Sequence, residues 1–281
     1  MQKGLNVSFA LSTAVVVLMG AQSVAGLALP GQYRDVGWVR GTWYGNDWVT
    51  LVVALPLLVV ALAFARRGSV RGQLLWLGML GYSTYNYAFY LLGTALNVFF
   101  PVYAILLVLS VVGLMLGLSG IGVSAVAAGF AVRTPVRIVG GCLAGIGVGL
   151  AGVWLAMWAL YTFAGRPTPI EPEAFRLVAA LDLTIMVPAL TIGGVLLWRR
   201  AAWGFVLATV AGVQGSLYLI VLAVNSVIMI LRDLVEPPGE LPIWGPLGLI
   251  TAALTAVLLT SAGAARGVTA PSRGGIRSPA R

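Results

Sequence analysis

The chain has 281 residues, of which 60% are hydrophobic and 9% are charged, and its formal net charge is +9 at pH 7. Soluble domains have about a quarter charged residues, so this composition predicts an integral membrane protein. The sequence has no histidine, a single cysteine, Cys142, and a single lysine, Lys3. It therefore excludes imidazole-based metal sites, histidine-dependent triads, intramolecular disulfides and a mid-membrane lysine Schiff base. We expect no cofactor and no metal.

Eight apolar segments are each long enough to cross a bilayer at about 1.5 Å per residue. They predict an all-α polytopic bundle of transmembrane helices over residues 1–265, followed by a basic disordered tail, 266–281. The first segment has an alternative interpretation, a cleaved signal peptide with AQSVAG as its cleavage region, but its length favours a retained helix. The predicted spans are Leu5–Pro30, Asp47–Ala65, Gln73–Leu96, Val102–Leu118, Ile138–Phe163, Ala174–Trp198, Trp203–Leu231 and Ile243–Ala264.

Three connecting or flanking features carry further expectations. Ser119–Val132 is rich in Gly and Ala and either continues the fourth span or lies at the membrane interface. Gly31–Asn46 is predicted to be a loop with aromatic side chains nearby at the headgroup boundary: Trp38, Trp43, Tyr44 and Trp48. In the fifth span, glycines at helical spacing indicate a face that another helix approaches closely, unless they only reflect a glycine-rich membrane helix: Gly141, Gly145, Gly149 and Gly152.

The charges predict the orientation. With the N-terminus inside and eight spans, most of the 17 Lys and Arg residues lie on the inner side, as the positive-inside rule requires. We therefore predict a cytoplasmic-membrane protein with both termini in the cytoplasm. The partners expected from this are the lipid bilayer and anionic headgroups at the inner face, with each tail arginine contributing about 1 kcal/mol. Topology explains the positive charge, so no nucleic-acid partner is predicted.

Residues of the same type recur at one constant spacing along the chain, which we call the repeat offset. An alignment of the chain with itself that places Pro56 on Pro188 also places Arg67 on Arg199. This correspondence predicts two parallel four-helix repeats, 1–132 and 133–265. The alternative is coincidence between membrane segments of low sequence complexity.

Two of the spans carry polar residues on one face. At about 100° per residue, these residues line up instead of scattering around the helix. Hydrocarbon offers hydrogen-bonding groups no partner, so both faces are predicted to point into the bundle. They either line a ligand site or a path, or they form interhelical hydrogen bonds, which contribute about 0.6 kcal/mol each on average. The candidates are Tyr82, Asn86, Tyr90 and Asn97 in the third span, with Gly93 on the same face, and Gln214, Tyr218, Asn225 and Arg232 in the seventh.

Asp182 is a carboxylate within the sixth predicted span. An ionisable residue inside the membrane is a functional candidate by default, although Asp182 would lie in water if its helix began later. If it is buried, its candidate partners are Arg176, Arg232 and tyrosine hydroxyls. Pro56 and Pro188 each predict a kink in the middle of a span.

The sequence leaves three functions open. The favoured one is a permease for small solutes, or a proton-coupled one, with an unidentified small-molecule ligand. The alternative is a non-catalytic structural or accessory subunit whose polar faces pack within a homo-oligomer or against another membrane subunit. An intramembrane lipid-modifying enzyme ranks last, because the acidic residues form no clear pair, and we predict no catalytic residue.

Overall fold

The computed structural model describes residues 2–29, 31–234 and 236–263, without the side chains of Gln2 and Trp38. The chain is 83% helical, and the described residues form no strand. The predicted all-α membrane bundle is therefore confirmed. The predicted basic tail, 266–281, lies outside the described residues.

The helices agree with the predicted spans to within a few residues, except that the second begins well before Asp47, at Gly37. Two of the long segments are each interrupted by a five-residue π-helix. The elements are α1 Gln2–Ala28, α2 Gly37–Val49, π-helix Thr50–Ala54, α3 Leu55–Arg66, α4 Val70–Gly93, α5 Phe100–Gly120, α6 Val123–Ala128, α7 Val136–Ala164, α8 Pro172–Leu181, π-helix Asp182–Met186, α9 Val187–Trp198, α10 Ala202–Leu231 and α11 Leu241–Ser261.

Among the described residues, seven helical segments are long and apolar enough to span a membrane. The eighth long helix is α4, whose 24 residues include tyrosines and an asparagine that make it less apolar. Most α4 side chains are buried, and so is 83% of the most apolar stretch of α10. A helix enclosed by other helices has no contact with hydrocarbon, so it tolerates polar residues that a lipid-facing helix does not.

The helices α4 and α10 pack against each other at the centre of the bundle. On one side α3 and α5 flank α4, and on the other α9 and α11 flank α10. The outer helices differ, because α1 packs along α5 whereas α7 packs along α9. In α1, the Ser8 hydroxyl donates to the Gly113 carbonyl and the Ser12 hydroxyl accepts from the Trp76 indole. These buried contacts join α1 to α5 and α4.

A proline follows each π-helix after one intervening residue. Thr50–Ala54 precedes Pro56, and Asp182–Met186 precedes Pro188. Proline has no N–H and clashes with the preceding turn, so a widened turn relieves the backbone at this point. Each proline therefore follows a π-helical turn within an otherwise continuous helix, and the kinks expected there stay predictions.

Close approaches between helices recur at the repeat offset. Gly72 lies against Ala65 in the first half of the chain, and Gly204 lies against Leu197 in the second. In both places a side chain on the glycine would collide with the neighbouring backbone. Both turns therefore depend on glycine for the same reason.

The two halves also exchange contacts. Gly45 of α2 lies against Asn225 of α10, and Gly93 of α4 lies against Leu177 of α8. The repeat offset converts the first contact into the second, because it places Gly45 on Leu177 and Gly93 on Asn225. In each half, the N-terminal part of the second span therefore packs against the central helix of the other half.

Two expectations from the sequence are wrong. Residues 31–46 are not all loop, because α2 begins at Gly37, and Trp43 is buried instead of lying at the headgroups. Its ring packs against Tyr90, and its indole donates to Asp35.

The glycine stripe of α7 contacts no other helix: no described atom lies close to the positions that side chains would occupy at Gly141, Gly145, Gly149 and Gly152. Gly140 and Gly147, on another face of α7, contact α9 instead.

Backbone acceptors at the end of α11 hold together the end of the bundle at which α4 begins. The Arg71 guanidinium donates to the carbonyls of Thr260 and Ala262 at 2.8 Å each. The Ala131 amide donates to the Ser261 carbonyl at 3.0 Å. Residues 119–132 thus neither continue α5 throughout nor stand alone, because α5 ends at Gly120 and the short helix α6 follows.

Candidate functional site

Asp182 is fully buried and accepts three hydrogen bonds. The Tyr85 hydroxyl donates to Oδ1 at 2.6 Å, and the Trp154 indole and the Tyr218 hydroxyl donate to Oδ2 at 2.8 and 2.9 Å. Of the partners expected from the sequence, the tyrosine hydroxyls are therefore present. Arginine is not part of the site: neither Arg176 nor Arg232 donates a hydrogen bond to this carboxylate.

Asp47 forms a second site of the same kind. It is fully buried, with the Tyr33 hydroxyl donating to Oδ2 at 2.6 Å and the Tyr90 hydroxyl donating to Oδ1 at 2.8 Å. The Gln22 amide donates to Oδ1 at 3.1 Å, and Tyr87 in turn donates to the Gln22 oxygen at 3.2 Å. The predicted site residue Tyr90 thus belongs to a carboxylate site that the sequence analysis did not identify.

Neutral groups provide the hydrogen bonds to these two carboxylates among the described residues. The donors are phenols, an indole and an amide, with no guanidinium or ammonium group. Burying an anion is expensive, and hydrogen bonds to the charged form reduce that cost without removing the charge. Each site can therefore exist as a hydrogen-bonded carboxylate or, after binding a proton, as a neutral acid.

The environment of Asp47 also acts on the loop between α1 and α2. Burial, together with the nearby charge of Asp47, raises the pKa of the Tyr33 hydroxyl well above its ordinary value. Tyr33 therefore stays protonated and remains a donor to the carboxylate. This loop residue therefore covers the Asp47 carboxylate at the end of the site nearest the loop between α1 and α2.

Both carboxylates lie at a π-helix. Asp182 is the first residue of its π-helix, and Asp47 lies one turn before the other. Segments of π-helix are frequent at functional sites, because the widened turn shifts side chains and loosens backbone hydrogen bonds. The local geometry thus makes these the least regular points of the two spans.

Helix α4 contributes to both sites. Tyr85 binds Asp182, and Tyr90 binds Asp47. At about 100° per residue, Tyr82 and Asn86 project from α4 in directions between those of Tyr85 and Tyr90. The predicted polar face of α4 therefore lies between the two carboxylate sites. We call this face, together with the polar side chains that pack against it, the bridge.

Several polar atoms on this bridge have no hydrogen-bond partner among the described residues. They include the Tyr82 hydroxyl, the Asn86 amide nitrogen and the Gln214 amide nitrogen, together with the Thr50 hydroxyl of the first π-helix. All four side chains are buried. Buried polar groups normally find partners, so each of these groups requires an explanation.

The other predicted site residues lie outside this bridge. Asn225 is buried, and its amide donates to the Asn46 side chain at 3.2 Å, joining α10 to α2. Asn97 is not on the helical face, because α4 ends at Gly93. Arg232 lies beyond the end of α10, with its guanidinium 4.5 Å from the ring centre of Tyr44. Arg232 is exposed and lies outside the polar interior, whereas the side-chain nitrogen of Asn97 is buried and has no hydrogen-bond partner among the described residues.

Sequence reasoning missed Asp47 because the apolar run begins there, which placed the residue at the N-terminal end of the predicted second span and not inside it. One signal was present: Asp47 lies between Trp43 and Trp48, too close to an apolar segment for a solvated loop. Periodicity did not indicate Tyr85, because it lies off the stripe of Tyr82 and Asn86. Tyr33, Gln22 and Trp154 come from distant segments, so only the fold brings them to the carboxylates.

A cavity of about 270 Å³ lies between α10 and α11. Its lining is apolar apart from the Trp244 indole and includes Leu219, Val227 and Leu249. None of the predicted site residues lines it. This cavity therefore does not join Asp182 to Asn86 and Tyr218.

Comparisons with protein-family models, curated proteins and solved structures found no match for this chain. The functional argument therefore depends on the geometry of the two carboxylate sites.

Proposed function

We propose that this protein is a proton-coupled transporter of small solutes, in which Asp47 and Asp182 bind the coupling protons. The observation that carries the proposal is the pair of fully buried carboxylates, each hydrogen-bonded by neutral donors alone. Carboxylates within membrane spans are rare and are typical of ion pathways and proton relays. Two such groups in one small bundle favour transport over a passive role.

The paired architecture supports this proposal. The π-helices, the glycine contacts and the exchanged contacts between α2, α10, α4 and α8 all recur at the repeat offset. We take residues 1–132 and 133–265 to be parallel repeats, an arrangement found in secondary transporters with ligand sites near the membrane midplane. The interrupted second and sixth spans correspond to the discontinuous helices that form such sites.

Proton binding has a direct structural consequence at each site. A carboxylate with three donors loses its charge on protonation, and the added proton converts one acceptor position into a donor. At Asp182 this competes with Tyr85 of α4 and Tyr218 of α10. The contact between the second π-helix and the central helices therefore depends on protonation, which is the coupling that a proton-driven transporter needs.

The proposed setting is the cytoplasmic membrane, with both termini in the cytoplasm and anionic headgroups at the inner face. The positive-inside distribution of Lys and Arg supports this orientation. In it, both carboxylate sites lie nearer the outer ends of their spans. Protons would therefore enter the sites from the outer side.

The test uses purified protein in vesicles loaded with a pH-sensitive dye. Neutral and zwitterionic small solutes are added outside one at a time, and we expect at least one to change the internal pH. Asp47→Asn and Asp182→Asn should each reduce that rate at least tenfold, as removal of an essential proton carrier requires. Glu173→Gln, which changes an exposed carboxylate, is the matched control. If no solute moves protons, or if both aspartate variants transport like the wild type, the proposal is wrong.

One observation favours a second function, a structural or accessory subunit. The three donors to Asp182 come from α4, α7 and α10, so one carboxylate joins four helical segments. A purely structural role predicts that Asp182→Asn lowers the stability of the bundle and that the wild type moves no protons. The vesicle experiment and a thermal unfolding measurement on the same variants separate the two functions.

A further inference from the structure

We infer that Thr50, Tyr82, Asn86 and Gln214 form a binding site for an uncharged oxygen atom between the two carboxylates. The ligand is the hydroxyl or carbonyl group of a small polar solute, or a water molecule with the same chemistry. This inference rests on the proposed function, because it names the class of solute that the transporter would take.

The first observation is that all four side chains are buried. The exposed fractions of these side chains are 0% for Thr50, 2% for Tyr82, 3% for Asn86 and 4% for Gln214. Each has a polar atom without a hydrogen-bond partner among the described residues. Leaving several buried donors unpaired in one region destabilises a fold, so a ligand that accepts from them has a strong advantage.

The second observation is that the four residues lie on or against one stretch of α4, Gly81 to Asn86. The Tyr82 hydroxyl faces the Thr50 hydroxyl of the first π-helix, so one of them can donate to the other and the pair keeps one hydrogen for a ligand. Gln214 packs against α4 at Gly81, where a side-chain carbon would lie 2.9 Å from the Gln214 oxygen. Asn86 follows Tyr82 by one helical turn and therefore projects from the same side of α4.

The third observation comes from comparing the two halves at the repeat offset. Thr50 corresponds to Asp182, and Asn86 corresponds to Tyr218. In the second half, the Tyr218 hydroxyl donates to the Asp182 carboxylate. In the first half a shorter hydroxyl replaces the carboxylate, and the Asn86 amide nitrogen has no acceptor among the described residues. The second half thus carries its own acceptor, whereas the first half needs one from a ligand.

The donors determine the chemistry of that ligand. Two amide nitrogens and the remaining hydrogen of the Tyr82–Thr50 hydroxyl pair can donate to an acceptor oxygen. None of the four carries a charge, and Asp47 lies one turn before Thr50. A second anion at this position would be repelled by the Asp47 carboxylate. The site therefore suits a neutral hydroxyl or carbonyl group.

The position of the site gives it a role in coupling. Tyr82 and Asn86 project between Tyr85, which binds Asp182, and Tyr90, which binds Asp47. An oxygen bound here would lie between two proton-binding groups on one rigid helix. Occupancy of the site and protonation of the carboxylates would then influence each other through α4.

Thiol labelling tests the site directly, because Cys142 is the only cysteine and is exposed. In a Cys142→Ser background, Asn86→Cys is compared with Met79→Cys, a fully buried apolar position on the same helix. A small water-soluble thiosulfonate reagent should label Asn86→Cys at least tenfold faster than Met79→Cys. Equal, slow labelling of both variants would overturn the inference.

Added glycerol then distinguishes the two sources of the oxygen. Protection of Asn86→Cys by glycerol identifies a solute site, whereas fast labelling without protection identifies a water site. Asn86→Leu provides a second readout that needs no labelling. If the site is filled, this variant loses a ligand contact and its Tm falls; if the site is dry, the variant removes an unpaired donor and its Tm rises, which would overturn the inference.

The inference and the proposed function can fail separately. Slow labelling combined with proton movement that depends on Asp47 and Asp182 would reject only the site. Proton movement unchanged by both aspartate substitutions would reject the transport function whatever the labelling of Asn86→Cys.

Discussion

Tyr85 and Tyr90 lie little more than one turn apart on α4, yet their hydroxyls bind two different buried carboxylates. Tyr85 donates to Asp182 at 2.6 Å, and Tyr90 donates to Asp47 at 2.8 Å. One rigid helix therefore connects the two sites, and a rotation or displacement of α4 would change both hydrogen bonds together.

The first prediction concerns these two hydroxyls. Tyr85→Phe and Tyr90→Phe should each destabilise the protein by about 1–3 kcal/mol, because each leaves a buried carboxylate with one donor fewer. Reversible unfolding in detergent measures the loss. Tyr161→Phe is the matched control, since Tyr161 is exposed on α7, and it should stay within about 0.5 kcal/mol of the wild type. Wild-type stability in both test variants would mean that the hydrogen bonds contribute nothing.

The second prediction concerns the contact between the central helices. A methyl group at Gly78 would collide with the Val213 side chain of α10. Gly78→Ala should therefore cost about 1–3 kcal/mol, as overpacking does in a dense interior. At Gly145 nothing lies near the added methyl group, so Gly145→Ala should be neutral or slightly stabilising through helix propensity. Equal stability of the two variants would show that α4 and α10 do not pack at Gly78.

The third prediction is a dependence on alkaline pH. Burial raises the pKa of Tyr33 well above the ordinary value of 10.0, so the folded protein keeps a proton that the unfolded chain loses. The stability from this group is fully present below about pH 10 and is lost as the pH rises, at about 1.4 kcal/mol per unit. Between about pH 10 and 11.5, the unfolding free energy of the wild type should fall with pH more steeply than that of Tyr33→Phe. The difference in slope should be the contribution of one proton, about 1.4 kcal/mol per pH unit.

Phe163, an exposed aromatic residue without an ionisable group, provides the control. Phe163→Leu should have the wild-type slope, because it removes no group that binds or releases a proton. A Tyr33→Phe slope equal to that of the wild type would show that Tyr33 is not held in its neutral form.

The fourth prediction is the orientation of the chain. The segment from Pro172 to Trp198 is long enough to span the membrane, so its two flanking loops lie on opposite sides. In a Cys142→Ser background, Arg166→Cys should react with an impermeant maleimide on intact cells. Arg199→Cys should react only after permeabilisation. The reverse pattern would mean that both termini lie outside.

The sequence predicted the helices well because hydropathy, length and the positions of arginine and proline are local properties. It also identified Asp182, since a carboxylate in an apolar run requires a partner. Asp47 was missed because only three-dimensional packing shows that the residues before it are helical and buried. Tyr33 and Gln22 bind it from outside its own helix, and no periodicity within one segment reveals such donors.

The burial of the polar faces was predicted correctly near the centre of the bundle, but the predicted face of α4 is too long. Tyr82, Asn86 and Gln214 are buried as expected, whereas Asn97 falls beyond the end of α4. A helical wheel assumes that the helix continues. Here the Thr94 side chain bonds to the Tyr90 carbonyl, and Asp35 accepts from the Ala95 amide, so the chain turns away.

Arg71 has a mechanical consequence for the whole bundle. Its guanidinium joins the start of α4 to the last carbonyls of α11, so the first and last thirds of the chain are held together at this end of the bundle. The carboxylates lie nearer the opposite end. If the halves rock against each other, the joined end moves least and the opposite end moves most. Any gate operated by such a motion would therefore open on the side of Asp47 and Asp182.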